Sequence, residues 1–508
     1  MAAAPDRLRL NELLATLSLA TDLGTGQPLG HGLRSSLVAI ALGRELGCGP
    51  DQLRSVQQVA LLRFLGCTSD AGETAQMVGG DEITFNAVMA PAVSGSAGEA
   101  LRAMTRAVGP GHPPRRRAGL LVGVLADPGG DRRIFSNHCE VAAMLATRLG
   151  LIAPVVQALA HAFERWDGKG HPEGLAAEEI PLEVRISTVA RDVDLFIRRG
   201  DDVNAVLQHR RGKAYDPAVV DAYRWLGVSH PEADWDQVME AEPAPFACVD
   251  DPDDALAVVA DFADLKSRWT RGHSPRVAEI VGAAAQTWGL GADESRDLRR
   301  AALVHDVGRV GVENGVWDKP GQLSVDEWEK VTTHPYLTHR VLARCPALSP
   351  LGELASSHHE RLDGSGYHRQ ASADQISSGA RILAAADVLC ALTSPRPHRP
   401  AFEKDAAIAT LRAAVDAGTM DGDAVACVVS AAGGEFERRR TPNPGGLTDR
   451  EVEVLVTLAS GSTNREVAAQ LFISPKTVGR HVENIYAKIG VSTRAGAAVF
   501  AMQHRLLG

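Results

Sequence analysis

Cysteine is scarce in this sequence and nowhere paired. The seven cysteines (Cys48, Cys67, Cys139, Cys248, Cys345, Cys390 and Cys427) are scattered, odd in number and without a C-x-x-C pair. That excludes a disulfide framework and a cysteine zinc site, and predicts reduced thiols. Long apolar runs are missing too. The longest, such as Leu120 to Ala126, fall far short of the ~20 residues that span a bilayer, so no membrane partner is expected. The opening MAAAPDRLRL lacks the apolar core of a secretory signal, so a cytoplasmic location is expected. Excess positive charge is also lacking. A net charge of −10 excludes a chain that coats nucleic acid or anionic membrane along its length, though not a local basic surface. Long runs of alternating polarity are absent, which argues against a β-sandwich or barrel.

What is present reads as helix. The 508 residues, 45% apolar and 23% charged, suggest about three soluble domains. Apolar residues recur at three- and four-residue spacing, as in ALLRFL and AALVHDV, and Gly and Pro cluster between such segments. An all-α fold is predicted.

The chain also repeats itself. LGHGLRSSLVAIALGRELG around His31 matches RGHSPRVAEIVGAAAQTWG around His273, an offset of 242 residues that Gly66 and Gly308 share. HAFERWDGKGHPEG (161–174) matches SHHERLDGSGYHRQ (357–370), and there the offset is 196, as it is for His138 and His334. The first copy therefore carries 46 extra residues, placed by composition around residues 70–130. Two homologous helical bundle domains are expected, 1–235 and 236–435, split near HPEADWDQVMEAEPAP. A polar Pro/Gly linker at 436–446 and a third unit at 447–508 complete the division.

The second copy concentrates ligand residue types. His305 and Asp306 are adjacent in an apolar helix, and His334, His358, His359 and Asp387 each lie in a segment of their own. Imidazole with carboxylate suits Mn, Fe or Zn. An adjacent His-Asp pair serves two neighbouring metals if the carboxylate bridges them, and a metal pair suits attack of water on a phosphate.

HDVGRVGV, DKPGQL, TTHPYLTHRVL, SSHHERLDGSGYH and ARILAAADVLCALTSPRPHR, in that order over about residues 260–435, resemble the HD-GYP family of metal-dependent phosphohydrolases, most of which act on cyclic di-GMP. The resemblance implies two divalent transition-metal ions, iron or manganese, held by His305, Asp306, His334, His358, His359 and Asp387. His273 matches a further ligand of some members. It implies catalytic roles for Asp306 and Arg309, and substrate contacts from Gly366, Tyr367, Arg396 and Arg399. Guanidinium pairs bidentately with phosphate oxygens, which suits the last two. The chain departs from the family pattern at four places: Arg309 replaces a lysine, His368 the final proline of the family's name motif, His398 a tyrosine and Trp269 the glutamate of a third metal site. The expected metal core is intact, while the substrate-facing shell has drifted.

In the first copy the same register puts Arg63 and Phe64 at the His-Asp pair, Ala162 and Phe163 at the paired histidines, and Arg191 opposite Asp387, with Asp192 next to it. Only His31 and His138 survive, so neither metal nor catalysis is expected there.

From Leu447 the charge turns to +2, with seven Lys/Arg against five Asp/Glu. Ser474 followed by Pro475 is a helix start. Val478, Val482, Ile485 and Ile489 make an inward stripe. Lys476, Thr477, Arg480, His481, Asn484 and Lys488 lie off it, in reach of phosphates and base edges in a major groove. TDREVEVL, GSTNREVA, LFISPKTVGRHVENIYAKIGV and Arg494 resemble the LuxR-type helix-turn-helix. That resemblance implies double-stranded DNA contacts from the recognition helix and a homodimer through the fourth helix. The leading expectation is a transcriptional regulator whose middle domain binds and hydrolyses a cyclic dinucleotide or related phosphodiester. A phosphodiesterase with an accessory DNA module and a non-catalytic nucleotide sensor stay open beside it.

Overall fold

A computed structural model describes residues 8–127, 129–226, 235–436, 444–504 and 506–507. It forms two units, Met1–Phe436 and Glu437–Gly508. Helices dominate both. Among the described residues only isolated β-bridges occur outside them.

The repeat is visible helix by helix. Leu10–Gly24, His31–Glu45 and Pro50–Leu62 recur as Pro252–Asp264, His273–Trp288 and Ala292–Val304. Leu182–Arg199 recurs as Ser378–Leu392. The same local chemistry starts the helices that open on His31 and His273. Each is preceded by a glycine with positive φ, Gly30 (87°) and Gly272 (73°), a conformation only glycine adopts cheaply. Each first turn is capped by a buried aspartate. Asp22 accepts from Gly30 N at 2.8 Å and Gly32 N at 3.1 Å, and Asp264 accepts from Ser274 N at 2.9 Å. Both histidines are thereby fixed at helix N-termini.

The two copies share one core. Leu13, Leu17 and Leu61 of the first copy and Val281, Val304, Leu383 and Val428 of the second belong to one continuous cluster of buried side chains. A smaller cluster, with Val189, Val193 and Tyr215, belongs to the first copy alone. The boundary expected near residues 230–250 does not divide the core. Residues 227–234 and most of the expected linker, 437–443, lie outside the described residues.

The extra residues of the first copy form helices Ala71–Val78, Glu82–Met89, Ala97–Ala107 and Pro114–Leu125. They dock onto the second copy through Glu82. Its buried carboxylate pairs with Lys266 Nζ at 2.5 Å and accepts from Asn314 N at 3.0 and 3.1 Å. Gly315 N donates to Gly80 O beside it at 2.8 Å.

The second unit packs Asp449–Ala459, Asn464–Gln470, Pro475–Ile489 and Arg494–Gln503 around Val454, Leu458, Val467, Val478 and Ile485. Thr448 with Glu451, and Thr463 with Glu466, form reciprocal capping boxes, and Ser474 caps the third helix. No described helix is long and apolar enough to cross a membrane.

Candidate metal centre

Three of the expected ligands lie just past or between helices, and the helix ends orient them. The last turn of a helix leaves carbonyls without partners. His305 Nδ1 reaches Ala302 O at 2.7 Å, His334 Nδ1 reaches Val331 O at 2.6 Å and His358 Nδ1 reaches Ala355 O at 2.7 Å. A carbonyl only accepts, so each Nδ1 carries the proton and each Nε2 presents its lone pair inward. That is the arrangement in which a protein readies imidazole for a metal.

The Nε2 atoms gather around two carboxylates. Asp306 Oδ1 lies 3.4 Å from His334 Nε2 and 3.5 Å from His358 Nε2. Asp306 Oδ2 faces the other way, 3.6 Å from His305 Nε2 and 4.0 Å from His273 Nε2. Asp387 Oδ1 is 3.0 Å from His273 Nε2 and 3.9 Å from His305 Nε2, and its Oδ2 is 3.9 Å from His359 Nδ1. The ligand atoms of His273, His305 and Asp387 lie within 4.8 Å of one another, as do those of His334, His358 and His359. All seven residues expected from the sequence thus converge, with Asp306 between two groups. His305 Nε2 is wholly buried and has no hydrogen-bond partner among the described residues, which leaves an electron pair for a cation. The donor set fits a pair of transition-metal ions.

Electrostatics favour the ligand forms. Burial holds His305 down to about 4 and His334 to about 3, so both are neutral near pH 7. Burial would raise Asp306, but His305 and Arg309 outweigh it and hold the carboxyl well below its usual range. Burial opposes charge on His358, yet Asp306 beside it raises the pKa.

The mouth is a cavity of about 820 Å³, lined by Arg309, Trp317, Trp328, Tyr367, Arg396 and His398 among others. Arg309 donates to Asp306 at 3.2 Å and lies over the Trp317 ring at 3.8 Å. Arg396 donates to Trp269 O at 3.2 Å. Arg399 also lines the cavity and in addition braces the helix behind it. Its guanidinium donates to the carbonyls of Ala391, Leu392, Ser394 and Pro400, closing the C-terminus of helix Ser378–Leu392. Tyr367 lies beside His359, ring centroids 4.8 Å apart and planes tilted by 36°. Gly366 fits because a Cβ there would meet Arg361 N at 2.5 Å. Glu360 holds that turn by accepting from Arg369 N and Ala371 N. Sequence reading missed Trp317, Trp328 and Lys319 as mouth residues; the DKPG segment that carries Lys319 was the available signal.

The first copy keeps the turn and loses the centre. Glu164 accepts from Glu173 N and Gly174 N as Glu360 does from its loop. Ala162 and Phe163 are buried with Phe64, Phe135 and Cys139, and the Arg63 guanidinium lies over Phe163. Arg191 pairs with Asp192, which also accepts from the Tyr215 hydroxyl at 2.6 Å, so neither is arranged as a ligand.

On the second unit, Lys476, Thr477, Arg480 and Asn484 are exposed and His481 is half-buried, while Val478 and Ile485 are buried beneath them. Lys488 is tied elsewhere. Its ammonium donates to Glu451 of the first helix at 2.6 Å. Arg494 braces the turn before the second helix through Ser462 O and Asn464.

The HD domain family matches residues 129–219 and 257–423, one segment in each copy. The family of bacterial regulatory proteins of the luxR type matches residues 446–501. A 3'3'-cGAMP-specific phosphodiesterase of Vibrio cholerae is 31% identical over 427 residues, covering 81% of this chain and 92% of the relative. A cyclic di-GMP phosphodiesterase response regulator of Xanthomonas campestris is 35% identical over 162 residues, 32% of this chain and 43% of its own length. The crystal structure of a cyclic GMP-AMP-specific phosphodiesterase of V. cholerae superposes with a TM-score of 0.57 at 26% identity, covering 84% of this chain and 98% of that one. The chain belongs to the HD-domain family, with relatives that are HD-GYP-type cyclic-dinucleotide phosphodiesterases, and it carries a LuxR-type DNA-binding domain at its C-terminal end.

Proposed function

We propose that the second copy binds two divalent transition-metal ions, iron or manganese, and hydrolyses a phosphodiester bond of a cyclic dinucleotide. The observation that carries this is Asp306, whose two oxygens face two separate sets of imidazole nitrogens. His273, His305 and Asp387 would hold one ion; His334, His358 and His359 the other. Such a pair supplies activation of water and neutralisation of phosphate charge.

The chain's own residues supply the rest. Arg309 is locked by Asp306 and Trp317, which sets its guanidinium at the mouth to pair with a phosphate. Arg396 faces the same cavity. Trp317, Trp328 and Tyr367 offer aromatic faces for bases. Arg399 holds the loop that carries Arg396, the two linked as a bridge pair. Tyr367 and Gly366 close the side next to His359.

The second unit would bind double-stranded DNA through Lys476, Thr477, Arg480, His481 and Asn484, as a regulator of transcription. Val499 and Met502 are exposed, 46% and 58%, on the fourth helix. They supply an apolar face for a homodimer, and so for a two-fold operator.

The test is turnover of 3'3'-cGAMP and cyclic di-GMP by the purified, metal-loaded chain, beside DNA binding with and without each nucleotide. Hydrolysis that His305→Ala abolishes supports the proposal. Tight binding without turnover makes the domain a receptor. Hydrolysis without any effect on DNA binding makes the chain an enzyme with an accessory DNA module.

A further inference from the structure

Where the first copy lost its metal site, it gained a cavity. The space measures about 350 Å³ and lies between the stripped site and the helices peculiar to this copy. Phe64, Phe163 and His138 line one side, at the positions where the second copy has Asp306, His359 and His334. Met77, Phe85 and Met89 line the other, from helices Ala71–Val78 and Glu82–Met89. The volume falls within the ~300–1,000 Å³ of small-molecule pockets, and an apolar lining with few polar groups is the usual composition of such pockets.

His138 Nε2 has no hydrogen-bond partner among the described residues, but it is buried within the wall and not open to the cavity. Met104, Val124, Leu125, Ile134 and Phe135 complete the lining, so the surface that meets an occupant is mainly aromatic and aliphatic.

The charged groups of the lining are already engaged. Asp127 pairs with Arg133, Asp131 lies 3.4 Å from His171 Nε2, and burial pushes Asp70 up to about 7. Arg191 pairs with Asp192 and donates to Ala90 O at 2.6 Å. A carboxylate or phosphate ligand would therefore find no uncommitted arginine or lysine in the lining.

We propose that this cavity is a binding site for an uncharged, largely aromatic or hydrocarbon small molecule. The first copy is then a ligand-binding domain built from a metal-binding scaffold. The conversion needed two steps: aromatic side chains in place of ligands, and an inserted helical wall to enclose them.

N-phenyl-1-naphthylamine, an uncharged aromatic probe with a single N–H, tests this on the full-length, metal-loaded protein. Its fluorescence is expected to rise saturably with one equivalent per chain. Val93→Trp and, independently, Met89→Trp fill the cavity and are expected to abolish that rise, with thermal melting confirming that each variant folds. 1-Anilinonaphthalene-8-sulfonate, an anionic probe of similar shape, is expected to bind at least about tenfold more weakly. Non-saturable fluorescence, or a titration unchanged in a folded filling variant, overturns the site. Equal affinity for the anionic probe overturns the proposed ligand class.

Discussion

His334 Nε2 and His358 Nε2 face each other at 3.2 Å. Both rings already use Nδ1–H on main-chain carbonyls, so two lone pairs point at one another. Asp306 Oδ1 adds a third electron-rich atom 3.4 and 3.5 Å away. Such a cluster is stable only with positive charge in its middle. A cation supplies it, or else a proton on His358, whose pKa Asp306 raises against its burial.

Metal content follows from that contact. Purified protein is expected to carry about two transition-metal ions per chain by elemental analysis. Asp306→Ala, which removes the group shared by both sets, is expected to lower this below one and turnover by on the order of 1000-fold. Stripping the metal with a chelator should lower Tm, because bound ions stabilise the folded state by mass action. Full metal content in Asp306→Ala would contradict the bridging role.

Arg309 is held over the Trp317 ring, its guanidinium carbon 3.8 Å from the ring centre. Lysine at this position keeps the charge but loses the stacking and the forked donor geometry. Arg309→Lys is expected to lower kcat/KM roughly tenfold, the upper range of such a stacking contact, with metal content unchanged.

Glu82 and Lys266 form a buried ion pair, their side chains 1% and 3% exposed. Removing one member leaves a buried, unpaired charge. Glu82→Ala should cost about 3–5 kcal/mol in chemical denaturation. Glu82→Gln, which can still accept from Asn314 N, should cost less.

Burial pushes Asp22 up to about 8 from 3.8, although Gly30 N and Gly32 N oppose the shift. The folded state therefore binds this proton more tightly than the unfolded chain does. Its contribution is fully present below about pH 4 and is lost as pH rises towards 8. Asp22→Asn keeps an acceptor and removes the titration. Its Tm should gain on the parent protein's between pH 5 and pH 8; parallel Tm curves over that range would show that Asp22 does not titrate there.

Arg480 is exposed on the third helix of the second unit. Arg480→Ala should weaken DNA binding and reduce the slope of log affinity against log salt by about 1 if it meets a phosphate. An unchanged slope with relaxed base preference would place it on a base edge.

The helical class and the duplication were legible because periodicity and offset are local. Pro50 and Ala292, 242 residues apart, each begin a helix, as do Leu182 and Ser378, 196 apart. The residues that converge around Asp306 were legible through an adjacent His-Asp pair and the order of the motifs around it. Three features were not. A helical stripe shows that Leu13 and Leu17 are buried without saying against what, so the shared core was hidden. The donors of Arg399 go to carbonyls exposed by a helix end that only the folded turn brings near. Lys488 finds Glu451 across a helix pair 37 residues apart in sequence, so its position on the recognition helix could not show that its charge is engaged.

The shared core has a consequence for biosynthesis. Helix Leu10–Gly24 packs against the short turn Val307–Gly311, synthesised nearly 300 residues later. At about 5–20 residues per second, its apolar face waits on the order of 15–60 s for that partner. A nascent chain arrested between the copies would leave uncovered the side of this helix that carries Leu23 and Gly24, which lie against Gly311 and Val310 in the finished fold, and would be a client for chaperones rather than a finished domain.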